Sequence, residues 1–200
     1  MSRPIDEERP GELRAAILQY LIDHGITDLS LRPLAKAVGS SPRALLYHFG
    51  SKEKLLMSML AEIRQRQQLQ FAQIHSESLA GALSEIWSTL SSPSSEKQVR
   101  LFFELYGVAL RQPTLYKEFL ASAVDDWLAF AVKHLREDGY RRSEAVLLAT
   151  TILAGFRGFL LDLCATQDRE RVNRAVVAWL QALNTNAATN ATTNAAKRKA

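Results

Sequence analysis

The sequence predicts an all-α protein: an N-terminal three-helix unit of helix-turn-helix form, joined by a long helix to a larger C-terminal helical domain. Three observations predict it. Residues 30–52 read as two short helices around a tight glycine turn. Apolar residues recur three and four positions apart from residue 13 to residue 183. No alternating apolar–polar run is long enough for a sheet.

Residues 1–10 are a charged, proline-containing arm, expected to be mobile. Leu13, Ala16, Ile17, Tyr20 and Leu21 then give the first helix one apolar face, and Gly25 ends it. Ser30 can cap a second helix, with Pro33 in its first turn, where a missing N–H costs little. Leu31, Leu34, Ala35 and Val38 share a face of that helix, and Gly39 suits a left-handed position at its end. Ser40 or Ser41 can cap a third helix, whose first position fits Pro42. Leu45 and Phe49 lie on one face of it, leaving Arg43, Ala44, Tyr47 and His48 on the other. Gly50 stops it. The first helix is expected to pack on Leu34, Leu45 and Phe49, closing a small domain over residues 11–51.

Ser51 opens a long helix, to about residue 74, with Leu56, Met59, Leu60 and Ile63 in one stripe. It begins a domain expected over residues 52–183. Leu79, Leu83, Ile86, Trp87 and Leu90 mark the next helix, and the serine- and proline-rich residues 91–94 a loop. Val99, Phe102, Phe103, Tyr106, Ala109 and Leu110 mark another, halted by Pro113. A helix running up to Gly139 and two closing helices, over 143–165 and 168–183, complete the reading. Residues 184–200 hold four Asn, four Thr and six Ala and end in a basic triplet. With no large apolar side chain to offset ordering entropy, this tail is expected to be disordered.

Composition narrows the functional classes. At 47% apolar and 23% charged, the chain is of ordinary globular type. Its net charge of +4 is unevenly placed. Residues 28–54 carry five basic side chains against two acidic, whereas residues 1–27 carry three against five. The basic excess thus coincides with the helix-turn-helix. Cys164 is the single cysteine, so neither an intramolecular disulfide nor a cysteine zinc cluster is available. No phosphate-cradling loop, dinucleotide turn, nucleophile elbow or paired metal-ligand spacing is present, and no acid–base pair is poised. No catalytic residue, metal or cofactor is therefore expected, and the chain is not expected to be an enzyme. The opening residues are too polar for a signal peptide. The apolar run 145–156 is shorter than the about 20 residues of a membrane span. A cytoplasmic protein without a membrane partner is expected.

In a helix-turn-helix the second helix enters the DNA major groove. The residues here are more specific than the spacing. Tyr47-His48-Phe49-Gly50-Ser51-Lys52-Glu53-Lys54-Leu55-Leu56 resembles the signature that closes the DNA-binding domain of the tetracycline-repressor (TetR) family. Residues 31–41 match that family's preceding two motif helices, and the helix ending in His24-Gly25 matches its first. The resemblance is specific over residues 13–56 and architectural beyond. Two positions depart: Arg43 stands where relatives often carry Gly, and Leu46 where they carry a phosphate-binding Tyr.

The resemblance implies a homodimeric repressor that binds double-stranded DNA at a pseudo-palindromic operator and is released by a small-molecule effector. Ser41, Pro42, Arg43 and Ala44 begin the recognition helix, whose N-terminal residues face base edges. Arg43 is the side chain there able to hold guanine O6 and N7 together. Tyr47, His48 and Lys52 are the candidate phosphate contacts; a cation at a helix N-terminus makes sense where a phosphate lies beside it. The second half is rich in aromatics, which fit either a solid core or a ligand cavity. The resemblance favours a cavity beside the long helix, with Met59, Ile63, Phe103 and Trp127 as apolar lining and Glu104, Tyr106 and Arg157 as polar groups. It also points to a dimer through the last two helices, where Ala149, Ala154, Gly155 and Gly158 permit close approach and Trp179 is a natural anchor. The alternative is a helical small-molecule-binding or interaction protein whose helix-turn-helix is only architecture.

Overall fold

The computed structural model describes residues 10–74, 76 and 78–197. The arm over residues 1–9 and the end of the basic triplet lie outside them. The described residues form nine α-helices and no strand: α1 Pro10–His24, α2 Leu31–Ala37, α3 Pro42–Phe49, α4 Lys52–Ala72, α5 Leu79–Leu90, α6 Glu96–Arg111, α7 Lys117–Glu137, α8 Arg142–Thr166 and α9 Arg169–Lys197. Gly25, Gly39, Gly50 and Gly139 all take positive φ, at the ends where the sequence places helix stops.

Capping divides α2 from α3. Ser41 Oγ accepts from Ala44 N at 3.1 Å, with Pro42 in first place. Ser30 stands at the corresponding position of α2 but makes no side-chain cap bond. Pro33 is third in that helix and has no N–H to give.

Two compact units make up the chain. Of the described residues, one takes in those up to 67 together with 97–120; the other takes in those between 68 and 96 and those from 121 to 197. The first unit therefore extends past the domain end expected at residue 51. The reason is core size: Ile17, Leu18, Leu21, Leu34 and Leu45 of the three-helix part share one buried cluster with Leu55, Met59 and Leu60 of α4 and Leu101, Leu105 and Ala109 of α6. Three short helices alone bury too little apolar surface to stand by themselves.

The second unit centres on rings. Phe156 of α8 packs edge-on to Trp87 of α5 and against Trp127 of α7 and Trp179 of α9, with centroids 5.5–6.0 Å apart. Trp87 Nε1 donates to Asn173 Oδ1 at 2.9 Å, which satisfies a polar atom that burial would otherwise orphan.

One helix, α9, outruns the sequence reading, whereas α8 lies within one residue of the expected 143–165 at each end. α8 spans 25 residues, continuing through Arg157 and Asp162, and by length and composition it could cross a membrane. Only a third of its most apolar stretch is buried. α9 continues to Lys197, across much of the tail expected to be disordered. Extending an existing helix needs no new nucleus, and alanine has the highest helix propensity.

Candidate nucleic-acid interface

The recognition element is α3. Its inner face is fixed by Leu45, which is buried, and Phe49, partly buried against the same cluster. The 100° turn per residue then sends Arg43, Tyr47 and His48 outward, and all three are exposed. Tyr47 is 84% exposed, an unusual state for a large ring. Its ring meets that of His48 edge-on at 5.8 Å. Ser41 is exposed and its Oγ is held by the cap; Pro42 and Ala44 are half-buried. Leu46 is 41% exposed, so this position of α3 also lies on the surface.

Arg32, Lys36 and Lys54 are exposed. Lys54 folds over the end of α3: a Cβ at Gly50 would lie 3.3 Å from its Cδ and 3.7 Å from its Nζ. The sequence reading did not single it out, although its two-residue spacing from Lys52 and position after Gly50 were visible. Lys52 is placed differently. Its Nζ donates to Leu29 O at 2.6 Å, in the loop between α1 and α2, and the residue is half-buried. Neighbouring Glu53 has its carboxyl held below the usual range by its own backbone N–H and then by Ser51 at the start of α4. That start is therefore well satisfied despite an unfavourable cation.

The residues expected to line a ligand site fall into both compact units. Met59 and Ile63 are buried in the core of the first. Phe103 and Tyr106 are half-buried there and both pack against Phe102, with Tyr106 also edge-on to Phe119. Glu104 is committed to the backbone: its Oε2 accepts from Ile26 N at 2.8 Å. Trp127 and Arg157 belong to the second unit. Trp127 is buried against Phe156, and Arg157 Nη2 donates to Ala123 O at 2.9 Å. Tyr116, which the sequence reading passed over, is fully buried with an unpartnered hydroxyl, and burial followed by the Glu53 charge pushes its pKa up.

Along α8, Leu147, Thr151, Ala154, Gly158, Leu161 and Ala165 are all exposed, spaced alternately four and three apart. Leu147 is 69% and Leu161 54% exposed, and nothing lies within 4 Å of a Cβ placed on Gly158. Gly155 and Ala149 turn inward instead. Ala149 is buried, and Gly155 is filled by Trp179 of the same chain.

Residues 13–59 match the family model described as bacterial regulatory proteins, tetR family. The chain is 26% identical over 171 residues to the HTH-type transcriptional regulator BetI of Rhizobium meliloti, covering 84% of this chain and 72% of that one. Solved structures share the fold at lower identity. A transcriptional regulator from Rhodococcus sp. has a TM-score of 0.75 at 19% identity, over 88% of this chain and 95% of its own. Salmonella enterica GusR gives 0.71 at 21%, over 90% and 98%. The multidrug binding protein EbrR, complexed with imidazole, gives 0.62 at 22%, over 88% and 90%.

Proposed function

Through residues 13–59 the chain belongs to the tetR family of bacterial regulatory proteins, and on that premise we propose that it is a homodimeric, effector-released repressor acting at a pseudo-palindromic operator in the cytoplasm. The observation that carries the DNA-binding part is α3, whose inner face is core and whose outer face leaves Arg43, Tyr47 and His48 exposed. Arg43 is the base reader, Tyr47 and His48 hold phosphates, and Ser41, Pro42 and Ala44 bring the start of the helix up to the base edges. Lys54, exposed beside Gly50, is a further phosphate contact.

One recognition helix reads too few bases for useful specificity. A two-fold dimer sets two of them about 34–36 Å apart on adjacent half-sites. The exposed stripe of α8 supports this reading, because its alternating steps of four and three residues are those of a helix seam. Pairing two copies of α8 and α9 covers Leu147, Leu161 and the exposed Val177, all otherwise in water.

The effector is a small apolar or amphipathic molecule that binds the DNA-incompetent arrangement more tightly. The similarity to a multidrug binding protein supports that chemistry. Phe103 and Tyr106, half-buried on α6, are its first candidate contacts. A coupling of about 1–3 kcal/mol weakens operator binding roughly 5–150-fold.

The test is selection of duplexes from a random library by the full chain. The expected product is a two-fold symmetric consensus bound by dimers; recovery of no consensus overturns the reading.

A further inference from the structure

The loop that joins α1 to α2, residues 25–30, is gripped from outside the helix-turn-helix at two backbone atoms. On one side Glu104 of α6 accepts from Ile26 N at 2.8 Å. On the other, Lys52 of α4 donates to Leu29 O at 2.6 Å. Between them Leu29 N donates to Ile26 O at 3.2 Å, so the two gripped residues also close on each other. Both side chains, Ile26 and Leu29, are buried in the same core. Gly25 makes the approach possible, since a Cβ there would stand 3.0 Å from Glu104 Oε2, at a φ of +70°. Seven residues earlier on α6, about two turns along the same face, Lys97 Nζ meets Asp23 Oδ1 at 2.8 Å.

Hydrogen bonds to ionised groups are roughly twice as strong as neutral ones. Two of them applied to one short loop fix where α2 begins. α2 in turn fixes α3, because only the Val38–Ser41 turn separates them and Ser40 N donates to Ala35 O at 2.7 Å.

We propose that Lys52 and Glu104 are positioning residues for the recognition helix: they hold the α1–α2 loop from α4 and α6, and Lys52 acts through Leu29 rather than on a DNA phosphate. The proposal rests on the DNA-binding reading of α3. It separates two roles that a lysine beside DNA can play. A phosphate ligand contributes equally to every sequence and sets the salt dependence. A positioning residue sets how well the base-reading side chains are aimed, and so acts on the ratio of specific to random binding.

The experiment measures affinity of the full chain for its selected duplex and for a random duplex across a salt series. Lys52→Met is expected to leave the salt slope on random duplex as in wild type and to lower the specific-to-random ratio tenfold or more. Glu104→Leu is expected to lower the ratio likewise, while Glu104→Gln, which keeps an amide oxygen for Ile26 N–H, stays near wild type. Hydrogen exchange at the Ile26 amide should speed up in Glu104→Leu and not in Glu104→Gln. A slope shallower by about one in Lys52→Met, with the ratio unchanged, makes Lys52 a phosphate ligand and overturns the proposal. If Lys52→Met does not fold, the two Glu104 variants decide alone, and equal ratios in them overturn it. A wild-type chain that selects no duplex overturns the DNA-binding reading itself, and the proposal with it.

Discussion

Trp179 of α9 closes on Gly155 of α8 so tightly that a Cβ there would stand 2.5 Å from its Cζ2 and 2.8 Å from its Cη2. The same ring packs against Phe156 and Phe159, with centroids 5.8 and 5.4 Å away. Gly155→Ala gains about 1 kcal/mol of helix propensity but overpacks a rigid ring, at a cost of about 1–3 kcal/mol. A net loss of up to about 2 kcal/mol is expected in denaturant titration. Gly158→Ala meets nothing within 4 Å and should show no such loss.

Trp179 spends its face inside its own chain, so the proposed dimer is assigned to the outer stripe of α8. Leu147→Glu or Leu161→Glu sets like charges across a two-fold seam. Either variant should sediment as a folded monomer where the wild type sediments as a dimer. Dimers that persist in both would move the interface elsewhere.

Leu45 is buried in one core cluster with Ile17 and Leu34, which α3 shares with α1, α2, α4 and α6. Leu45→Ala should cost about 2–5 kcal/mol. Because the unit holds α4 and α6 as well, the loss should appear as a lower midpoint of the whole first unit rather than as local fraying of α3. Amide exchange in α6 would reveal it.

The turn between α8 and α9 carries an ion network. Arg171 donates Nη1 and Nη2 to the two oxygens of Asp162 at 2.9 and 2.7 Å, and Nε to Asp168 at 3.2 Å. The Arg171 hydrogen bond holds the Asp162 carboxyl below its ordinary value. A depressed folded pKa stabilises above the unfolded value of about 3.9 and loses that stabilisation as pH falls through the folded one. The advantage of wild type over Arg171→Ala should thus be level from about pH 7 to 5 and shrink below about 4, by denaturation at each pH. Solvent exposure keeps it small, and added salt should reduce it further.

What the sequence made legible was local. Gly25, Gly39, Gly50 and Gly139 end helices where expected, and Ser41 and Pro42 start α3, because caps and positive φ are set within four residues. The outward face of α3 followed from Leu45 and Phe49 alone. Pairings distant in sequence were not legible. Nothing near Glu104 announces that its carboxylate reaches Ile26, 78 residues away. Lys52 reads from sequence as a phosphate contact because its partner in the fold is a carbonyl, which every residue carries. Gly155 read as room for a second subunit until Trp179 was seen to fill it.

The central claim is that α3 reads bases, and Arg43 is where it can be tested most directly. Wild type and Arg43→Ala are titrated against the selected duplex and against duplexes changed at each single position. The account predicts a loss of about 1–3 kcal/mol for Arg43→Ala, with discrimination relaxed at one base pair in each half-site. An Arg43→Ala chain that binds selected and altered duplexes with the wild-type pattern would contradict it.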